Sequence, residues 1–130
     1  MATKLIVANI SGTHSLLQNN PLSMQPVERG LGTKHIPSPE EEAAGKIYKT
    51  DDGILFVPAI AFKASCVNAL KGKRIGKVGA PGRFKSAVFP ADVQCPLFHP
   101  KTKKPLKANQ YNIHTTRCVI KTAGVLRSRP

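Results

Sequence analysis

The chain has 130 residues, with 41% hydrophobic side chains, 20 Lys and Arg against 7 Asp and Glu, and a formal net charge of +13. That is the size of one domain, with enough apolar content for a modest core and too much for a wholly disordered tail. The longest apolar run, Ile54-Leu55-Phe56-Val57, continues past Pro58 only to Phe62, far short of the roughly 20 residues that span a bilayer. A membrane protein, a secreted disulfide scaffold and a collagen-like chain are therefore not expected. No signal peptide is read at the start.

The charge is unevenly spread. Residues 1–52 carry 5 basic and 6 acidic side chains, whereas residues 53–130 carry 15 basic and a single acid, Asp92. Self-repulsion of that kind adds nothing to stability, so it points to a polyanion or an acidic surface as partner. Three cysteines, at 66, 95 and 118, do not form an even framework, which suggests a reducing, cytoplasmic compartment.

In chain order, residues 4–10 (Lys-Leu-Ile-Val-Ala-Asn-Ile) read as a strand apolar on both faces, with Leu16-Leu17 prolonging it past a bulge. Residues 18–37 read as a long loop rich in Asn, Pro and Gly. Ser38-Pro39-Glu40-Glu41 has the pattern of a helix start: Ser38 as N-cap, Pro39 at the first helical position, Glu41 completing a capping box. Asp51-Asp52-Gly53 predicts a turn joining 47–50 to 54–57 as a hairpin. Pro58 opens a predicted helix to about Leu70, with Phe62, Cys66, Ala69 and Leu70 along one apolar side and Gly72 as its stop.

Residues 71–86 hold four glycines and six cations in sixteen positions, which predicts a long mobile loop rather than a helix or strand. Candidate strands follow at 86–89, 92–95 and 111–121, with a basic turn between Pro96 and Pro105. The expected arrangement is one domain, 1–130, with long loops at about 18–37 and 71–86.

Chemistry-bearing motifs are few. There is no His-Glu-x-x-His, no Gly-x-Ser-x-Gly and no acidic pair in the basic half, so no enzyme activity is expected, and a nuclease would have only Asp92 to hold a metal. Cys66 reads as a small buried hydrophobe rather than a nucleophile. The stretch Gly72-Lys-Arg-Ile-Gly76-Lys77-Val78 is no Walker loop, since Val78 stands where Ser or Thr is needed. Cys95-x3-His99 and His114-x3-Cys118 offer four zinc-compatible ligands, but in an extended strand His114 and Cys118 would stand about 13 Å apart. No metal or other cofactor is expected.

The cations are better read as phosphate contacts. Lys71, Lys73, Arg74, Lys77, Arg83 and Lys85 would lie along a strand's backbone, the glycines allowing close approach and the charges releasing counterions. Lys101, Lys103, Lys104, Arg117, Arg127 and Arg129 extend the candidate surface. Phe84 and Tyr111 could each stack on a base, and Phe84 is the better candidate, because a loop Phe flanked by Arg83 and Lys85 has little core to join.

The passage Asp52-Gly53-Ile54-Leu55-Phe56-Val57-Pro58-Ala59-Ile60-Ala61-Phe62-Lys63-Ala64-Ser65, preceded by a strand ending Ile10-Ser11-Gly12-Thr13 and a long insertion, resembles the RAMP superfamily, the backbone subunits of CRISPR effector complexes. The chain is also similar to short phage proteins through Ser15-Leu-Leu-Gln-Asn19-Asn20-Pro21 and the Arg127–Pro130 segment. The resemblance implies an α+β fold: a ferredoxin-like (RRM-like) antiparallel sheet with one or two helices and long basic loops, its helix N-terminus and basic loops lining an RNA path. The second helix–strand pair of that fold is not legible, so the sheet is expected to be incomplete or completed by a partner chain. Two functions follow as expectations. One is a non-enzymatic protein that coats single-stranded RNA or DNA as a homo-oligomer or filament. The other is a phage or mobile-element protein that meets an acidic host protein surface.

Overall fold

The computed structural model describes residues 2–24, 38–120 and 123–129, with the backbone alone described at 23–24, 117–120 and 123–129. Among the described residues, three α-helices and six short strands follow in mixed order, giving an α+β protein. The strands form three separate antiparallel pairs, β1 (Phe56–Pro58) with β4 (Gln94–Pro96), β2 (Arg74–Ile75) with β3 (Val78–Gly79), and β5 (His114–Ile120) with β6 (Ala123–Arg129).

Helix α1 (Pro39–Ala44) starts as its sequence dictates. The Ser38 hydroxyl accepts from the Glu41 N–H at 3.2 Å, and the Glu41 carboxylate accepts from the Ser38 N–H at 2.9 Å. Each bond satisfies a donor that the first turn would otherwise leave open. Glu40, Glu41 and Glu42 also place negative charge at the positive end of the helix. Gly45 ends it, donating its N–H to the Glu41 carbonyl.

The predicted hairpin forms. Gly53, at φ +74°, donates to the Thr50 carbonyl, the Thr50 N–H donates to Ile54, and the Thr50 hydroxyl accepts from the Ile54 N–H. A positive φ at this turn suits a residue without a Cβ. Tyr48 and Phe56 pack against each other across the hairpin as a tilted pair, ring centroids 5.7 Å apart and planes at 55°.

Leu55 lies at the centre of the structure. Its N–H donates to Leu106 and its carbonyl accepts from Leu97, while the neighbouring Phe56 N–H donates to Tyr48. Extended chain thus flanks it on both sides, and Leu55 is buried together with Ala43, Ile47 and Ala59. The segment 97–106 folds back on itself: Leu106 donates to Leu97, and His99 and Lys104 pair around a turn with Lys103 at φ +55°.

Helix α2 (Ala59–Ala69) follows Pro58 directly, within a residue of the predicted span. Its predicted apolar side is only partly covered. Phe62 and Leu70 are half-buried, but Cys66 is exposed, which corrects its reading as a buried hydrophobe. Helix α3 (Ala80–Ala87) packs against α2 and leaves Cys66 exposed.

The predicted loop at 71–86 is corrected. It holds the β2–β3 hairpin and nearly all of α3. The glycines act here as punctuation. Gly72 (φ +78°) reverses the chain after α2, Gly76 (φ +63°) takes the first central position of the hairpin turn, and Gly79 is the N-cap of α3. Ala80, buried, donates its N–H to the Lys73 carbonyl and closes the unit.

Other boundaries also move. Residues 4–10 form no strand: among the described residues their backbone groups have no hydrogen-bond partner, and Leu5, Ile6, Val7 and Ile10 are exposed. Leu16-Leu17 is likewise not a strand. A β-strand needs a neighbour for its ladder, and apolar residues alone do not supply one. Of the predicted loop at 18–37, Gln18 and Asn20 are tied down and Pro21–Met24 is a 3-10 turn, while 25–37 lie outside the described residues. The predicted strand at 86–89 is the end of α3 and the link after it, that at 92–95 is shifted to Gln94–Pro96, and that at 111–121 begins only at His114.

Candidate nucleic-acid interface

The β2–β3 hairpin and α3 gather six of the predicted cations into one short unit. Lys71 lies in the turn leaving α2, Lys73 and Arg74 lead into β2, Lys77 is in the hairpin turn, and Arg83 and Lys85 are on α3; all six are exposed. Among the described residues, no carboxylate forms an ion pair with any of them, in contrast to Lys46, which is bonded to Glu42. Exposed cations without internal partners keep their charge available to an external anion.

Helix α3 is held in shape by its own side chains and by the hairpin. The Ser86 hydroxyl donates back to the Gly82 and Arg83 carbonyls, and Pro81 lies in the first turn. Arg83 and Lys85 are therefore carried on a helix and not on a free loop. Phe84, between them, is half-buried on α3. The premise that it sits in a loop with no core to join is corrected by the same helix.

The remaining cations lie elsewhere. Lys101, Lys103 and Lys104 are exposed at the tip of the 97–106 hairpin. Its shape comes from His99, whose Nδ1 accepts from the Lys101 and Thr102 N–H groups at 3.3 Å each. Arg117 registers with Leu126, Arg127 with Thr116 and Arg129 with His114 in the β5–β6 pair; their side chains lie outside the description.

The four zinc-compatible residues are not brought together as a described cluster. Cys95 is half-buried in β4, His99 caps a turn, His114 is exposed, and the Cys118 side chain lies outside the described residues. Among the described residues no group of three or more His, Cys, Asp or Glu is placed to hold a metal ion. No helix among them is long and apolar enough to cross a membrane.

Sequence reasoning missed two residues beside this unit. Phe89, just past α3, is 72% exposed, and the Lys63 ammonium of α2 lies 4.4 Å from the centre of its ring. The mistaken strand at 86–89 hid Phe89. The signal that remained was Val88-Phe89-Pro90, an aromatic directly before a proline and so excluded from a helix interior.

Comparison with protein-family models, with curated proteins and with solved structures finds no match to this chain.

Proposed function

We propose that this chain is a non-enzymatic nucleic-acid-binding protein that coats single-stranded RNA or DNA as a homo-oligomer in the cytoplasm, chiefly through backbone phosphates. The observation that carries the reading is the exposed set Lys71, Lys73, Arg74, Lys77, Arg83 and Lys85, without an acidic partner among the described residues and held on one hairpin–helix unit. Contacts of this kind neutralise phosphates without reading bases, so sequence preference is weak and salt dependence steep. Lys101, Lys103 and Lys104 form a second contact zone.

The oligomeric part of the proposal is supported by the apolar surface left open near the N-terminus. Leu5, Ile6, Val7 and Ile10 are exposed on a segment that belongs to no helix or strand. A groove of about 750 Å³ lined by Leu16, Leu17, Ile47, Leu55, Leu97 and Leu106 opens beside the segment's continuation. A second copy can offer both an acceptor groove and a donor strand, which is how strands are shared between protomers. The likeness to RAMP subunits enters here through β1, which feeds a helix begun after Pro58. A ferredoxin-like sheet would need further strands beside β1 and β4, and a neighbouring copy is the proposed source.

The test is the triple variant Lys73→Ala, Arg74→Ala, Lys77→Ala, titrated with a labelled single-stranded oligonucleotide over a series of salt concentrations. Loss of three phosphate contacts should lower affinity and reduce the slope of log K against log salt by about 2, at about 0.7 per contact on a single strand. Unchanged affinity and slope at low salt would overturn the assignment of the hairpin.

A further inference from the structure

The basic unit has an exposed aromatic and an apolar groove at its border, and neither is used by phosphate contacts alone. Phe89 presents its ring to solvent, with the Lys63 ammonium 4.4 Å from its centre. Lys63 also lines a groove of about 250 Å³ between α2 and α3, together with Lys85, Asn68 and the apolar Ile60, Ala64 and Val67. One lysine thus links an aromatic face to an apolar groove whose other cation, Lys85, belongs to the phosphate-binding set.

We infer that Phe89, Lys63 and the α2–α3 groove form a nucleotide subsite, in which a base stacks on Phe89 and its phosphate is held by Lys63 and Lys85. The inference rests on the nucleic-acid reading and adds to it the residue that meets a base. The chemistry fits. A base has a π-face whatever its sequence, and stacking on an exposed aromatic is the sequence-tolerant contact that accompanies a cationic groove. The cation–π contact at an exposed site is weaker than a stacked base. A base therefore displaces Lys63 from the ring, and the freed ammonium turns to the adjoining phosphate. Phe84 is half-buried on α3 and presents less of its ring than Phe89.

The chain contains no Trp, so Phe89→Trp introduces a single indole reporter into the 130-residue chain. Its fluorescence is followed while oligo-dT or inorganic polyphosphate of matched charge is added, and oligo-dT binding is measured in parallel by anisotropy. The subsite predicts quenching by oligo-dT and none by polyphosphate, and a loss of oligo-dT affinity of about tenfold in both Phe89→Ala and Phe89→Leu. Phe89 is exposed, so both variants should fold. Binding of oligo-dT without quenching, or with affinity unchanged in Phe89→Ala, overturns the subsite and leaves the phosphate reading in place. Absence of oligo-dT binding by the unaltered protein overturns both.

Discussion

Gln18 is clamped between the two arms of the central hairpin: its side-chain amide donates to the Phe56 carbonyl and accepts from the Tyr48 N–H, both at 2.9 Å. It is 8% exposed, so the two bonds are made largely out of reach of water. Asn20 adds a bond from its side-chain amide to the Ile47 carbonyl, and its own N–H donates to Lys46. These contacts tie the segment before the 3-10 turn to residues 46–48 and to Phe56, next to the buried Leu55. Replacing Gln18 by Leu would leave a backbone donor and a backbone acceptor without partners, at a cost of about 2–4 kcal/mol. The expected outcome is a clear fall in the urea midpoint; an unchanged midpoint would mean that the clamp is not formed in solution.

Gly76 tests whether the cationic hairpin acts through its shape. An added Cβ would meet nothing within 4 Å, so the penalty at φ +63° comes from the backbone alone. Val in this conformation is disfavoured by about 1–2 kcal/mol, whereas Asn is tolerated better. Neither substitution changes charge. Oligonucleotide affinity should fall more in Gly76→Val than in Gly76→Asn. Equal affinities would show that the cations bind without the ordered turn.

The open N-terminal segment makes a prediction about assembly. Ile6→Asp with Val7→Lys removes two exposed apolar side chains, leaves net charge unaltered and touches no described hydrogen bond. Light scattering after size exclusion should show the unaltered protein as an oligomer and the double variant shifted toward monomer. The same mass for both would remove the segment from the interface.

Parts of this structure were legible because their chemistry is local. Ser38, Pro39 and Glu41 cap a helix through bonds spanning three residues, and Gly53 and Pro58 act on their immediate neighbours. The 71–87 region was not legible for the opposite reason. Pro81 suits a helical first turn, but Gly82 beside it and the glycines before it lower helix propensity and mask that signal, and α3 is anchored by the burial of Ala80 and its bond to Lys73, neither of which leaves a mark on composition. The N-terminal apolar run reads as a strand by pattern, yet pairing depends on a partner and not on the run itself. The cationic surface was legible as charge. The pairing of Lys63 with Phe89, 26 positions away in sequence, depends on how α2 and α3 pack.

Direct titration of a fluorescent single-stranded oligonucleotide with the nuclease-treated 130-residue chain, repeated across a range of salt concentrations, tests the central proposal most simply. Tight binding at low salt that weakens linearly on a log–log plot, with little difference between oligo-dT and a mixed sequence, is the predicted result. No binding in dilute buffer would contradict it and would leave the cationic half to the alternative of an acidic protein surface.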